Sequence, residues 1–90
     1  MPKVEPGPRF EKAFLKVGAR DPVRRRQILK AIELFIADAH HPSLNFEKLS
    51  GTPYGSIRAS RGDRIILRQV DDDAFELVDV GGHDIYRRYG

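Results

Sequence analysis

Residues 54–80 read YGSIRASRGDRIILRQVDDDAFELVDV. β-branched, aliphatic and aromatic residues recur through this stretch, and only two places break it: Arg61, Gly62 and Asp63, then Asp71, Asp72 and Asp73. Both suit hairpin loops, so three antiparallel strands are expected. A three-residue loop at Arg61, Gly62 and Asp63 would set Ser60 opposite Arg64 and gather Ile57, Ala59, Ile65 and Leu67 on one face, the face a core must cover. Ser56, Arg58, Arg64 and Arg68 would then project together from the other face. A two-residue loop would separate Arg58 from Arg64 and bury polar groups, so the hydrophobic alternation selects the longer one.

Upstream the period changes. PRFEKAFLKVG (8–18) spaces Phe10, Phe14 and Val17 at helical intervals, with Pro8 fit for a first turn and Gly18 for a stop. RDPVRRRQILKAIELFIADAHHP (20–42) offers Asp21 as N-cap and Pro22 in the first turn, and aligns Ile28, Ile32, Phe35, Ile36 and Ala39 until Pro42. The short connection between them predicts an antiparallel helical hairpin whose apolar side needs the sheet to cover it. MPKVE is a short edge strand at most, bounded by Pro2 and Pro6. HPSLNFEKLSGTP reads as a loop anchored by Leu44, Phe46 and Leu49. A short helix closes the chain. The expected class is therefore α+β, a two-helix hairpin on a small twisted, mostly antiparallel sheet.

Ninety residues form one domain, 1–90, because so short a chain has no room for two cores. With no cysteine and three histidines, two of them adjacent, neither a disulfide framework nor a metal site is expected, and no cofactor is implied. The N-terminal residues lack the apolar core of a signal peptide and no stretch approaches a membrane span, so a cytoplasmic location with no membrane partner is expected. Sixteen Lys and Arg against thirteen Asp and Glu give net +3, and arginine, whose planar fork suits phosphate and carboxylate, outnumbers lysine. A polyanion or an acidic protein is the fitting partner; a merely soluble basic surface is the alternative.

The strand ending in VGGH would deliver His83 to the rim of the sheet, beside Tyr86. Taken singly, a solvated histidine and a packing tyrosine would explain both. Beside a face carrying Arg58 and Arg64 they become chemically suggestive, because cleaving RNA through its 2'-hydroxyl requires a base, an acid and cations on the phosphate. The competing reading is a solvated arginine face balanced by Asp71, Asp72, Asp73 and Glu76. Arg24, Arg25 and Arg26 are expected on the solvated side of the second helix or on a partner surface. Glu47 is either a general base or an ordinary surface carboxylate.

HPSLNFEKLSG, SIRASRGDRIIL and VGGHDIYRR, in that order over nearly the whole chain, resemble the RelE/ParE superfamily of toxins from type II toxin–antitoxin modules. The resemblance implies the same α+β fold and, for the RelE branch, a ribosome-dependent endoribonuclease that cuts mRNA and so stops translation and growth. It further implies a cognate antitoxin in a hetero-oligomer. By that likeness Arg64 matches the arginine on the phosphate, and His83 or Tyr86 the residue serving the leaving oxygen or the nucleophile. Glu47 sits where some members carry a base, and Lys48 near where others carry lysines. Arg58, with Arg61 and Arg68, would add contacts to the substrate. The ParE branch implies inhibition of DNA gyrase instead, and a non-catalytic antitoxin-binding or regulatory module remains a third possibility. The first strand looks truncated, and Gly82 replaces the usual basic residue after VG, which favours the histidine-bearing branch.

Overall fold

The computed structural model describes residues 2–90. Its elements are β1 (Lys3–Pro6), α1 (Pro8–Gly18), α2 (Pro22–Ala37), a 3-10 turn (Pro42–Leu44), β2 (Glu47–Lys48), β3 (Tyr54–Arg58), β4 (Arg64–Asp71), β5 (Ala74–Gly81), a second 3-10 turn (His83–Ile85) and α3 (Tyr86–Tyr89). The strands make one mixed sheet in the order β1-β5-β4-β3-β2, with β1 parallel to β5 and the other neighbours antiparallel.

Local chemistry sets the helix ends. Pro8 opens α1 and Gly18 ends it, while the Asp21 carboxylate caps α2 by accepting from the Arg24 N–H at 3.1 Å. Asp21→Ala is expected to cost about 1 kcal/mol, read as a lower midpoint in a urea titration. α2 stops at Ala37, short of Pro42, yet Ala39 still packs against the core. Phe10 from α1 and Ile28, Ala31 and Phe35 from α2 meet Ile57, Ile65, Leu67, Leu77 and Val80 of the sheet. Phe35 lies at the centre, edge-on to Phe75 with centroids 5.0 Å apart. Full burial of such a side chain contributes about 1.5–3 kcal/mol.

β1 is the short edge strand expected from its prolines, and Met1 lies outside the described residues. Gly7 lets it hug β5: a Cβ there would stand 2.7 Å from Glu76 Oε2 and 3.1 Å from the Leu77 carbonyl.

Three expectations need correction. HPSLNFEKLSGTP is not loop throughout, because Glu47 and Lys48 pair with Ser56 and Gly55 as a fifth strand. Too short to show alternation, β2 is held by β3 rather than by its own pattern. The β3–β4 register also differs, since Arg58 rather than Ser60 lies opposite Arg64. The connection is five residues, Ala59 to Asp63, closed by Ala59 N–H donating to the Asp63 carbonyl at 3.0 Å. Slipping by two preserves the faces, so Ile57, Ile65 and Leu67 stay on the core side. Finally, the arginine face is not simply solvated: Ile66, Ile85 and Tyr89 form a second buried cluster there, joined by Leu49, Tyr54, Val78 and Tyr86.

A bulge shapes that second face. Ile66 pairs with Asp79 but Leu67 with Leu77, leaving Val78 extra. Without the extra residue, Leu77 and Asp79 would share a face; with it, Leu77 enters the main core and Asp79 turns to the opposite side.

Candidate functional site

Arg64 is charged yet only 7% exposed. Its Nη1 donates to the carbonyls of Ser60 (2.9 Å), Asp63 (2.9 Å) and Arg61 (3.3 Å), all in the turn that precedes it. Its Nη2 lies 3.1 Å from His83 Nε2. A guanidinium has no acceptor lone pair, so Nε2 must accept, and the imidazole hydrogen resides on Nδ1. Among the described residues none of these Arg64 bonds ends on a carboxylate, which leaves its positive charge uncompensated and open to an anion.

His83 reaches this position because β5 ends at Gly81 and the chain turns at Gly82, with Ile85 N–H donating to the Gly82 carbonyl at 3.0 Å. Tyr86 follows at the start of α3, its ring centroid 6.2 Å from that of His83 and its hydroxyl 3.1 Å from Ser56 Oγ. Glu47 is opposite Ser56 in the antiparallel pair, so its exposed carboxylate projects on the same face. Arg58, also exposed, is opposite Arg64. Arg64, His83, Tyr86, Glu47 and Arg58 therefore converge on one face of the sheet.

The other sequence candidates are distributed differently. Arg61 is an exposed residue of the β3–β4 turn. Lys48 is opposite Gly55, a position of the other face, and there it lines a groove with Phe35, Phe46 and Phe75. Arg68 lies about 13 Å along β4 from Arg64, beyond Ile66, and forks onto Glu76 Oε1 through Nη2 (2.8 Å) and Nε (3.1 Å). Strand alternation alone could not reveal that α3 divides the face between Arg64 and Arg68.

Two buried carboxylates escaped the sequence reading. Asp79, 2% exposed, accepts at Oδ2 from the Tyr89 hydroxyl (2.9 Å) and Arg88 Nη1 (2.8 Å), and at Oδ1 from the Val80 N–H (2.8 Å). Burial, then the hydrogen bond to Asp79, pushes the Tyr89 hydroxyl up from its ordinary value and keeps it a donor. Asp79 thus ties down the helix that begins with Tyr86. An acid between Val78 and Val80, in the apolar second half of β5, was the available signal. Asp63, 3% exposed, receives a two-pronged bond from Arg24, Nε at 2.9 Å and Nη2 at 2.6 Å. That bond raises the Arg24 guanidinium's affinity for its proton, and it corrects the expectation that Arg24 is merely solvated. Among the described residues no group of three His, Asp or Glu is placed to hold a metal ion, and no helix is long and apolar enough to cross a membrane.

No protein-family model matches the chain, and no curated protein matches it. Solved structures do. The YoeB/ParE toxin from Agrobacterium tumefaciens superposes with TM-score 0.75 at 17% identity, over 90% of this chain and 98% of that one. The E. coli DinJ-YafQ toxin-antitoxin complex includes a chain matching at TM-score 0.73 and 14% identity, over 93% of this chain and 94% of that one. The fold is that of the YoeB/ParE and YafQ toxins. The YoeB-YefM complex from Staphylococcus aureus agrees, with TM-score 0.73, 17% identity and coverage of 92% and 98%. On this fold the three motifs of the sequence fall on the first 3-10 turn and β2, on the β3–β4 hairpin, and on the end of β5 with the turn and helix that follow it, among them the elements that build the Arg64 face.

Proposed function

We propose that the chain is the toxin of a type II toxin–antitoxin pair and that it cuts mRNA on the ribosome, in the cytoplasm, with Arg64, His83, Tyr86 and Glu47 as its working residues. The observation that carries this reading is the buried, acid-free Arg64 guanidinium bonded to His83. A phosphate entering the face would take the Nη2 hydrogens of Arg64 and release His83 Nε2 to handle a proton. Glu47 or His83 removes the proton from the 2'-hydroxyl, and the freed 2'-oxygen attacks the adjacent phosphorus. The bond from phosphorus to the 5'-oxygen breaks, and that oxygen takes a proton from His83 or Tyr86. The products are a 2',3'-cyclic phosphate and a 5'-hydroxyl. Arg64, with Arg58 beside it, offsets the charge that builds on the phosphate, and Arg61 extends the basic rim. No step needs a metal.

The partner is an acidic antitoxin that covers either the helices α1 and α2, read as an antiparallel hairpin, or the arginine face, forming a hetero-oligomer. The antitoxin complexes of the YafQ and YoeB neighbours support that choice. Induction of the wild type without antitoxin, followed by transcriptome-wide mapping of new 5'-ends, tests the proposal. Growth arrest with cuts locked to the reading frame is the expected outcome. Arrest with intact transcripts and a DNA-damage response would direct the reading to gyrase, and undisturbed growth would leave a non-catalytic binding module.

A further inference from the structure

Asp63 and Arg64 are neighbours in sequence and both are buried, yet the structure pairs the acid with a different arginine. The Asp63 carboxylate is taken at both oxygens by Arg24, which reaches across from α2, 39 residues away. Ser60 completes the arrangement: its Oγ accepts from the Asp63 N–H at 3.2 Å and contacts Oδ2 at 3.4 Å. The turn thus fixed is the one whose carbonyls, from Ser60, Arg61 and Asp63, hold Arg64 Nη1. From this geometry we infer that Arg24 is a positioning residue for the Arg64 site, one that engages both oxygens of the buried Asp63 carboxylate and so keeps that neighbouring acid from neutralising the Arg64 guanidinium.

The inference rests on the proposed phosphate-binding role of Arg64 and gives that role a requirement. Sequence-adjacent opposite charges in a poorly solvated turn would otherwise satisfy one another, and an arginine already paired with a carboxylate has little affinity left for phosphate. Arg24 is 40% exposed at its side chain and Asp63 only 4%, so the helix supplies a partly solvated cation while the turn supplies a buried anion. Removing the cation alone leaves an unpaired buried acid beside Arg64. Removing the acid as well takes that unpaired charge away from the Arg64 turn.

The test uses the full-length protein, with inorganic phosphate as probe. Resonances of the Arg64 guanidinium and the His83 ring are followed in the folded population, well below the unfolding midpoint, for the wild type, Arg24→Met, Asp63→Asn and the double substitution. The expected result is phosphate affinity lower by about tenfold in Arg24→Met and restored to within about threefold of wild type in the double variant, the sign of a charge effect rather than a lost contact. Arg24→Lys, which keeps the charge but not the fork, falls between and guards against an Arg24→Met chain that does not fold. Unchanged affinity in Arg24→Met, or a double variant as weak as the single, would overturn the inference; so would a wild-type Arg64 that does not respond to phosphate. Phosphate binding that follows the predicted order in a protein that cuts no RNA would uphold the positioning role and refute the nuclease, so the two fail separately.

Discussion

Arg64→Ala is expected to lower mRNA cleavage by about 10²–10³-fold while leaving most of the fold standing. Arg64 stands outside the main apolar core, so its removal deletes hydrogen bonds to three turn carbonyls and to His83 Nε2 but opens no cavity among Phe35, Ile57 and Ile65. The loss falls on the transition state, where the phosphate gains charge that an adjacent guanidinium stabilises more than it stabilises the starting diester. Because the same side chain also bonds its own turn, Arg64→Lys should recover only part of the rate: an ammonium can meet the phosphate but cannot fork onto carbonyls and imidazole together. Single-turnover cleavage on programmed ribosomes would measure this, with circular dichroism confirming the fold. A fall in rate matched by a fall in folded fraction would assign Arg64 to structure alone.

Asp79→Ala should produce the largest loss of stability, about 3 kcal/mol, or a melting temperature lower by roughly 15 °C. The carboxylate is buried under α3 and is the acceptor for both the Tyr89 hydroxyl and Arg88. Its removal takes the acceptor from the Tyr89 hydroxyl, in a residue 8% exposed that packs with Ile66 and Ile85. Release of α3 would also carry Tyr86 away from Ser56, so activity is expected to fall even at temperatures where the main core persists. Asp79→Asn, which still offers an acceptor oxygen, should lose less. The contact has a signed dependence on pH. Burial and Asp79 raise the Tyr89 value, so the folded chain favours the protonated hydroxyl, and this stabilisation is complete below pH about 10 and lost as pH rises past the raised folded value. Tyr89→Phe should flatten that alkaline decline in a melting-temperature series.

How much of this was legible depends on the range of each interaction. Helical spacing in residues 8–18 and 20–42 and strand alternation in 54–80 are local signals, and α1, α2, β3, β4 and β5 follow them closely. The faces were legible too, because a slip of two residues leaves every side chain on its own side. The slip itself was not, since the wider turn is held by Arg24 from another element and by Arg64 binding back onto carbonyls, neither of which turn chemistry encodes. β2 escaped for a similar reason: two residues show no period, and only β3 makes them a strand. That Arg58 and Arg64 share a face was readable from alternation, and VGGH set His83 at its rim, whereas the place of Glu47 and the separation of Arg68 and Lys48 required knowing where α3 lies and which face β2 presents.

The most direct test of the Arg64 face as an RNA-cleaving site is single-turnover cleavage of a ribosome-bound mRNA carrying one 2'-deoxynucleotide at the cut position, compared with the all-ribose message. The expected result is a ribose message cut to a 2',3'-cyclic phosphate and a 5'-hydroxyl, with the deoxy message intact. Equal cutting of both messages, 5'-phosphate ends, or no cutting by a toxin that still arrests growth would contradict it.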